Sequence, residues 1–447
     1  MAAFEAILND ISGFIWGWPL IILLFGTHLF LTVRLRFIQR HIGTAIKLSF
    51  SKKREGSGEI SHFGALTTAL AATIGTGNIV GVATAVAVGG PGAVLWMWLT
   101  GVFGIATKYG EAVLSVKYRR LSPDGTVSGG PMYALEDGLK SKWLAVLFAA
   151  FTAVAAFGIG NMVQANSIAG LMGNTFGVPG WATGLILTGF TALVIIGGVR
   201  SIAKVCEKLV PLMVVVYFIG CVILLIIGWR TIPDSLWLIV TSAFAGQAAL
   251  GGFVGAALKE TVRYGIARGL FSNEAGLGSA PIVAAAAQTK NPVRQALVSS
   301  TGTFWDTVVV CLITGLVIVN SGRWTEGLNG SALTHAAFSQ LGFFGPTLLT
   351  FGLLTFVFST ILGWSYYGEK AVEYLFGRAS IRPYRFLWVG AVMVGSTLSL
   401  GAVWTFADIA NGLMALPNLI ALLLLNGVIV AETRKYLWTP DRLDSEE

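Results

Sequence analysis

The segment "AATIGTGNIVG" (Ala71–Gly81) decides the fold, because it puts three glycines, two threonines and an asparagine into an otherwise strongly apolar stretch. Glycine lacks a Cβ atom and breaks helical regularity at little steric cost. Backbone N–H and C=O groups that lose their helical partners inside a bilayer need other partners, because water is absent there. The segment therefore predicts a membrane helix that is interrupted near its middle and leaves main-chain groups free for a ligand.

The composition around this segment is that of a membrane protein. Of the 447 residues, 55% are hydrophobic and only 12% are charged, and the mean hydropathy is +0.74. Apolar runs of about twenty residues favour transmembrane helices over the shorter strands of a barrel. We predict an all-α membrane protein with 11 transmembrane helices: Phe14–Val33, His62–Val88, Val94–Val116, Trp143–Met172, Trp181–Val199, Leu209–Gly228, Leu236–Leu258, Ala296–Val319, Pro346–Phe376, Arg385–Ala402 and Phe406–Val430.

Basic residues alternate between the predicted loops and indicate the orientation, because Lys and Arg accumulate on the cytoplasmic side. The loop after the first span carries seven of them, and every second loop thereafter is also basic. The intervening loops hold only Arg230 and Arg323. We predict a multi-pass protein of the cell membrane with its N-terminus outside and its C-terminus in the cytoplasm. The net charge of +8 follows from these loops and does not indicate a nucleic-acid partner.

The basic stretch between the seventh and eighth spans is counted among the cytoplasmic loops. It contains Lys259, Arg263, Arg268, Lys290 and Arg294. It also contains the glycine-rich segment "GLFSNEAGLGSAP" (269–281), which we expect to be a turn-rich connector or a gate.

The order of the spans predicts an inverted repeat. Without the first span, ten remain, in two groups of five that start on opposite sides of the membrane. The first span of each group is rich in small and polar residues, and the second of these interruptions is "SAFAGQAALGG" (242–252). Such a pair indicates a transporter's binding site, although Gly77 and Gly81 alone also fit close helix packing. The predicted parts are an extra N-terminal helix with a basic loop (1–61), a first five-helix repeat (62–229), a second five-helix repeat (230–432) and a cytoplasmic tail (433–447).

Other polar side chains fall inside predicted spans. Gln164 either contacts a substrate carboxylate or hydrogen-bonds a neighbouring helix. Asp306 lines a cation path, pairs with another helix or extends toward the inner surface. Ser359 and Thr360 offer the oxygen ligands that hard cations prefer, or bond back to their own helix. The sequence contains no catalytic triad, metal motif or phosphate-binding loop, so we do not expect an enzyme.

Three motifs resemble those of the alanine or glycine:cation symporter family, the sodium:alanine symporters. "GGPGAVLWMWLTGVFG" (89–104) closely resembles the family signature, with Leu95 where the family usually has Phe. "ATIGTGNIVG" (72–81) and "GLFSNEAGLGSAP" are similar too, and the resemblance extends along essentially the whole chain. It implies a LeuT-type architecture of five plus five inverted helices, in agreement with the predicted repeat.

The resemblance also implies roles for individual residues. For the substrate, the carbonyl of Thr73 would face the amine, and Thr76, Gly77 and Asn78 would face the carboxylate. Ala243, Phe244 and Gly246 would complete the pocket, and Trp364 would close it against large side chains. Gln164 is added to this set because of its position in the membrane. For sodium they are the carbonyls of Ala71, Ile74 and Phe356 and the hydroxyls of Ser359 and Thr360. Asp306 is the candidate for a second cation path.

The predicted function is import of a small neutral amino acid, alanine or glycine, by a symporter that uses sodium as its coupling ion and works by alternating access. Coupling arises when sodium binding orders the broken helix and so raises substrate affinity, a linkage that is reciprocal. The alternatives are proton coupling with the same substrates, a channel and an amino-acid-binding receptor. The short loops leave little room for a receptor domain, and no filter loop is repeated. The partners expected are the amino acid and membrane lipid, with the oligomeric state left open.

Overall fold

The computed structural model describes residues 2–51, 56–123, 125–245, 254–342, 344–398, 401–439 and 442–443. These residues are helical apart from their loops and one small antiparallel hairpin of β1 (Arg120–Leu121) and β2 (Val127–Ser128). In the hairpin, Arg120 lies opposite Ser128, and Leu121 lies opposite Val127. The expectation of an all-helical protein is confirmed.

Eleven helices make up the N-terminal half of the described chain. They are α1 (Ala2–Ile15), α2 (Trp18–Arg34), α3 (Ile42–Ser49), α4 (His62–Thr73), α5 (Val82–Gly89), α6 (Ala93–Lys117), α7 (Pro131–Tyr133), α8 (Lys142–Phe157), α9 (Val163–Phe176), α10 (Gly180–Ile195) and α11 (Gly198–Ile227). Turns of π-helix stand at Gly77–Gly81, Ala134–Gly138 and Gly158–Met162, and 3-10 turns at Ile38–His41 and Trp229–Thr231.

Ten helices follow in the C-terminal half of the described chain. They are α12 (Ile232–Ala245), α13 (Val254–Asn273), α14 (Pro281–Ala284), α15 (Pro292–Thr303), α16 (Leu312–Asn320), α17 (Gly330–Phe338), α18 (Phe344–Phe376), α19 (Ile381–Thr397), α20 (Gly401–Leu424) and α21 (Asn426–Tyr436). A π-helical stretch, Phe304–Cys311, joins α15 to α16, and 3-10 turns stand at Arg323–Glu326, Ser339–Leu341 and Arg378–Ser380.

Six continuous helical stretches of the described residues are long and apolar enough to cross a membrane, and a bent pair makes a seventh. The six are Ala6–Arg34, Lys142–Gly173, Gly198–Ile227, Pro292–Asn320, Phe344–Phe376 and Ala407–Leu424, and the pair is His62–Thr73 with Gly77–Gly89. Each corresponds to a span predicted from the sequence. The predicted spans at α6, α10 and α19, and with them the total of 11, stay a prediction.

Helix α12 lies along one end of the bundle. The hydroxyls of Thr231 and Ser235 near its start donate to Asn320 Oδ1 at 2.9 and 3.0 Å. The carbonyl of Ala243 near its end accepts a hydrogen bond from Trp96 Nε1 at 2.8 Å. Helix α16 itself packs against the start of α6, because a Cβ atom on Gly315 would contact Val94. Helix α12 therefore does not cross the bundle, and the predicted span Leu236–Leu258 is wrong.

The crossing at this point of the chain is made by α13, the segment after it and α14, which together follow α6 from end to end. Thr261 Oγ1 donates to the carbonyl of Gly89 just before α6 at 2.6 Å. Gly269 packs against Thr100, and Ser115 near the end of α6 donates to the carbonyl of Pro281 at 2.6 Å. The segment 269–281 is thus buried across the bundle, and its prediction as a cytoplasmic loop is wrong.

The basic residues of α13 lie at the end of the bundle where the chain begins. Arg263 and Arg268 line a cavity with Ser12 and Trp16 from α1 and the turn after it. If the N-terminus is outside, as predicted, both arginines lie in the outer half of the protein. Counting them among cytoplasmic residues therefore conflicts with the predicted orientation, whereas Arg294 at the start of α15 agrees with it.

The opposite end of the bundle joins the segments that precede α4 and follow α14. The main-chain N–H groups of Glu59 and Ile60 donate to the carbonyl of Ala286 at 2.7 and 3.2 Å, and Ile60 forms a parallel β-bridge with Ala287. The guanidinium of Arg119 donates to four carbonyls of the two segments, those of Ser57, Ala285, Ala287 and Thr289, at 2.5–2.9 Å. Burial lowers the pKa of Arg119 from its ordinary value. We call these contacts the inner clasp.

Candidate substrate and cation site

The first interruption lies where the sequence predicts it. Helix α4 ends at Thr73, and Gly77–Gly89 continues at an angle of 53° to it. Asn78 Oδ1 accepts the main-chain N–H of Gly75 at 2.9 Å, which replaces a lost helical partner. A Cβ atom at Gly75 would lie 2.8 Å from Thr360 Oγ1. Glycine at this position therefore lets the break approach α18 closely.

The second interruption follows α13 and has left-handed backbone conformations. Glu274, Gly276 and Gly278 have φ angles of 54°, 89° and 86°. A non-glycine residue in this region is uncommon, and such strain concentrates at functional sites. Glu111 Oε1 accepts the N–H groups of Gly276 and Gly278 at 3.0 and 3.1 Å. Asn418 Nδ2 donates to the same carboxylate oxygen at 2.7 Å, so two polar side chains hold the break in place.

Both interruptions face one small cavity near the centre of the bundle. Its volume is about 20 Å³, room for about one water molecule, so the cavity is closed in this conformation. Residues of α4, the first break, the stretch from α8 to α9, α13, α18 and α20 line it. They are Ala72, Thr73, Gly75, Thr76, Gly77, Ile159, Gln164, Phe271, Glu274, Thr360, Trp364 and Asn411.

Hydrogen-bond acceptors in this cavity lack partners. Within the described part of the chain, Gln164 Oε1 and Asn411 Oδ1 are buried and accept no hydrogen bond. The Gln164 Nε2 group is satisfied, because it donates to the carbonyl of Ile159 at 2.9 Å. Glu274 adds a carboxylate, whose Oε1 accepts from Trp364 Nε1 at 3.1 Å. An unpaired buried acceptor is costly, and a ligand ammonium with its three donors would supply what is missing.

The indole ring of Trp364 closes one side of the cavity. Only 1% of this residue is exposed, and its ring contacts Tyr367 edge to face with centroids 5.5 Å apart. A Cβ atom at Gly160 would collide with the Trp364 side chain. The ring is therefore fixed by its neighbours and limits the side chain that the cavity can accept.

Four of the five residues predicted to bind sodium lie together between α4 and α18. Ser359 Oγ lies 3.2 Å from the carbonyl oxygen of Ala71 and 2.8 Å from that of Phe356. Thr360 Oγ1 lies 3.0 Å from the same Phe356 carbonyl. These four residues and Ile74, the fifth predicted ligand, are all buried. The donor set consists of neutral oxygens, which suits a hard monovalent cation better than a transition metal.

Asp306 lies in the π-helical stretch between α15 and α16, directly behind the first break. Its Oδ1 accepts from Asn78 Nδ2 at 2.7 Å. Its Oδ2 accepts from Thr307 Oγ1 at 2.6 Å and from Ser272 Oγ at 3.0 Å. The carboxylate is buried and hydrogen-bonded to both broken helices. Of the roles considered for Asp306, the structure shows the pairing with other helices.

Most of the residues predicted to bind substrate are brought together. Thr73, Thr76, Gly77, Gln164 and Trp364 line the cavity, and Asn78 is buried beside it. Thr73 Oγ1 bonds back to its own helix.

Ala243 and Phe244 are not brought to the cavity. Ala243 packs against Gly92, and Phe244 is 63% exposed and contacts Trp96 with ring centroids 6.1 Å apart. The physical reason is that α12 lies at the end of the bundle, so its residues do not reach the centre. Gly246 lies outside the described residues.

Sequence reasoning missed Phe271, Glu274 and Asn411. Glu274 carries a signal that could have located it, since it is an acid within the glycine-rich segment that resembles the family. Its neighbours Arg263 and Arg268 led that segment to be assigned to a loop. Asn411 carries a weaker signal, a lone amide in an apolar span.

Comparison with known proteins places this geometry in a family. A family model described as "Sodium:alanine symporter family" matches residues 1–446. "Sodium/alanine symporter AgcS" from Methanococcus maripaludis is 52% identical over 444 residues, which are 97% of each chain. "Probable sodium/glutamine symporter GlnT" from Bacillus subtilis is 37% identical over 441 residues, 97% of this chain and 90% of the relative.

A solved structure matches the fold. MhsT in complex with L-phenylalanine has a TM-score of 0.63 and 15% sequence identity, over 86% of this chain and 95% of that chain. The likeness establishes a LeuT-like fold, as the sequence predicts. Because the family model matches nearly the full length of this chain, the chain belongs to the sodium:alanine symporter family, whose members are transporters and not enzymes.

Proposed function

We propose that this transporter couples inward movement of sodium to import of a small neutral amino acid, alanine or glycine, across the cell membrane by alternating access. The observation that carries the proposal is the cavity where both broken helices meet and where Gln164 Oε1 and Asn411 Oδ1 lack donors. A zwitterion brings the two kinds of group that such a site needs.

The two ends of the substrate bind to different parts of the cavity. Its carboxylate meets the N–H groups at Thr76 and Gly77, where the outer half of the first broken helix begins and the helix dipole favours negative charge. Its ammonium donates to Glu274, Gln164 and Asn411. Glu274 is the charged member of this set, so it contributes most of the electrostatic attraction.

The side chain of the substrate is limited in size by its surroundings. Trp364 is fixed against Gly160, and the cavity of about 20 Å³ must widen even for alanine. This favours alanine and glycine over larger amino acids. A relative is named for glutamine, so glutamine is the informative competitor in a specificity assay.

The oxygen cluster at Ser359 supports the proposal of sodium coupling. A cation bound to the carbonyls of Ala71 and Phe356 and the hydroxyls of Ser359 and Thr360 ties the end of α4 to α18. The same stretch of backbone leads directly into the first break, so sodium orders the residues that hold the substrate. By linkage, substrate also raises the affinity for sodium.

Proton coupling is the second candidate, and the buried carboxylates favour it. Glu274 and Asp306 both lie beside the breaks, with 4% and 0% of their surface exposed. A carboxylate at such a depth is a default candidate for ion or proton coupling.

Uptake by proteoliposomes separates these candidates. We expect labelled alanine to accumulate under an inward sodium gradient and not when potassium replaces sodium, at any imposed pH gradient. Thr360→Ala removes a proposed sodium ligand and should abolish sodium-driven uptake. Thr355→Ala is the matched control, because among the described residues its hydroxyl bonds back only within α18, to the carbonyls of Phe351 and Gly352, and not to the oxygens of the cluster. Accumulation driven by a pH gradient alone would reject sodium coupling in favour of protons.

A further inference from the structure

Helix α6 carries a buried lysine whose ammonium group makes no hydrogen bond. Lys108 lies in the interior of this helix, and only 3% of the residue is exposed. Within the described part of the chain, its Nζ atom is buried and lacks a hydrogen-bond partner. Burying an ammonium in this way is costly. An ionisable side chain at membrane depth is therefore a candidate for a role in transport.

The lysine lies on the face of α6 that packs against the second break. Gly104, Lys108 and Glu111 follow one another at spacings of four and three residues, which places them on one face of the helix. At one end of this face, a Cβ atom on Gly104 would lie 3.2 Å from the Cβ atom of Ala275. At the other end, Glu111 accepts the main-chain N–H of Gly276. Lys108 stands between these two contacts.

One residue separates Lys108 from the central cavity. The lysine lines a small cavity of about 10 Å³ together with Thr73 at the end of α4 and Asn273 at the end of α13. Thr73 also lines the central cavity. Lysine has a flexible four-carbon stem, so rotation about its side-chain bonds can carry the ammonium from one partner to another.

Three buried carboxylates interact electrostatically with Lys108, those of Glu111, Glu274 and Asp306. The carboxylates of Glu111 and Asp306 each accept three hydrogen bonds, which hold them in place. The carboxylate of Glu274 accepts two among the described residues, one on each oxygen. Of the three acids, Glu274 is the one that lines the central cavity. It is therefore the acid whose partners change when a substrate binds or leaves.

We propose that Lys108 is an internal counter-ion, whose ammonium replaces that of the substrate at Glu274 after the amino acid has been released inward. The two ammonium groups then bind the same carboxylate by turns. The charge of Glu274 is paired in the loaded carrier and in the empty one, so the empty carrier can return outward without an isolated buried charge. This inference rests on the proposed function, in which Glu274 receives the substrate ammonium.

A fixed pair between Lys108 and Glu111 is the alternative arrangement, since the two residues lie three positions apart on α6. The Oε2 atom of Glu111 is buried and accepts no hydrogen bond from the residues that the structure describes. Such a pair would stabilise the second break equally in the loaded and the empty carrier. The two arrangements therefore predict different effects on one step only, the return of the empty carrier.

The test compares net uptake with exchange in proteoliposomes that contain the full-length protein. Net uptake of labelled alanine under an inward sodium gradient requires the empty carrier to return. Exchange for unlabelled internal alanine, with equal sodium on both sides, requires only the loaded carrier. In Lys108→Met, which removes the charge and keeps the length of the side chain, we expect exchange within about twofold of the wild type. Net uptake should fall by about tenfold or more, as for the loss of one charge-assisted hydrogen bond.

Lys117→Met is the matched control, because it removes the same charge from the end of the same helix, where Lys117 pairs with Glu432. Its ratio of net uptake to exchange should equal that of the wild type. Net uptake by Lys108→Met at the wild-type rate, or an equal fall in both of its activities, would overturn the proposal. The equal fall is the result that a fixed pair with Glu111 predicts. Should Lys108→Met fail to insert, the neutral Lys108→Gln variant gives the same readings.

Two further results separate this inference from the proposed function. Alanine should bind to purified Lys108→Met at least as tightly as to the wild type, because the lysine no longer competes for Glu274. Binding weakened by about tenfold would show that Lys108 supports the site itself, and would overturn the inference. If wild-type accumulation follows a pH gradient instead of a sodium gradient, the proposed coupling ion is wrong. The ratio of net uptake to exchange still tests Lys108 in that case, because the empty carrier must return with either ion.

Discussion

Replacing Glu274 by glutamine tests the central site most directly. The amide has nearly the same shape as the carboxylate, and its oxygen can still accept the hydrogen bond that Trp364 Nε1 makes at 3.1 Å. The other carboxylate oxygen accepts from Ser279 Oγ, and the amide group that replaces it can donate to the same hydroxyl. The variant therefore keeps the shape of the second break and removes its negative charge. If that charge holds the substrate ammonium, the loss falls on binding rather than on folding.

The magnitude follows from the type of bond that is lost. Hydrogen bonds to charged groups contribute about 1.5–3 kcal/mol, which corresponds to roughly a 10- to 150-fold weaker affinity. Gln164 and Asn411 remain as neutral acceptors, so we expect binding to be weakened within this range rather than abolished.

Sodium-dependent binding of alanine to the purified protein, measured by calorimetry, provides the assay. Glu326→Gln serves as the control, because this acid is exposed in the 3-10 turn Arg323–Glu326 and pairs only with Arg323 among the described residues. The thermal melting temperature of each variant without substrate shows whether the fold is kept. An affinity of Glu274→Gln within twofold of the wild type, with the fold kept, would refute the assignment of the ammonium to this carboxylate.

Three further outcomes are expected. Ser359→Ala should raise the sodium concentration for half-maximal uptake by about tenfold, because the loss of one ligand to a charged species costs about 1.5 kcal/mol or more. Thr355→Ala should leave this concentration unchanged, and a shift in both variants would mean a general effect on α18. Gly160→Ala should abolish alanine binding, because the added methyl group collides with the Trp364 side chain that closes the cavity. Gly170→Ala should bind alanine normally, because Gly170 has open space around it. Alanine binding by the Gly160→Ala variant would show that the indole moves freely. Glu111→Ala leaves two buried N–H groups unpaired, which costs about 1–3 kcal/mol for each group. The melting temperature of this variant should therefore fall by several degrees in a thermal shift assay. An unchanged melting temperature would show that other contacts hold the second break.

The first break could be predicted from the sequence because its residues are poorly suited to a continuous membrane helix. Glycines beside an asparagine in the middle of an apolar run destabilise such a helix, so Gly75 and Asn78 indicate lost helical hydrogen bonds. The oxygen cluster around Ser359 could be predicted for a similar reason, since adjacent hydroxyls in an apolar helix suit a cation. In both places local residue types determine the local chemistry.

The second break could not be placed in this way because tertiary packing, and not the local residue types, determines where its charged residues lie. Arg268 and Glu274 within one short stretch are typical of a loop, and the position of Arg268 at the cavity that it lines with Ser12 and Trp16 depends on the packing of α1 against α20. The small residues near Ala243 have the composition that is expected of a helix break, but they lie at the end of the bundle and not at its centre. Close helix packing and helix interruption both use small residues, so a sequence pattern of small residues does not distinguish them.

The inner clasp joins the two broken helices at one end of the bundle, so that their halves on that side move as one rigid unit. The β-bridge at Ile60 connects them main chain to main chain, and the guanidinium of Arg119 donates to carbonyls of both segments. A displacement that pulls α4 away from Ser359 must therefore draw α14 away from the second break at the same moment. We expect the ion and the amino acid to be released together when the protein opens inward. No stable intermediate should then retain only the ion or only the amino acid.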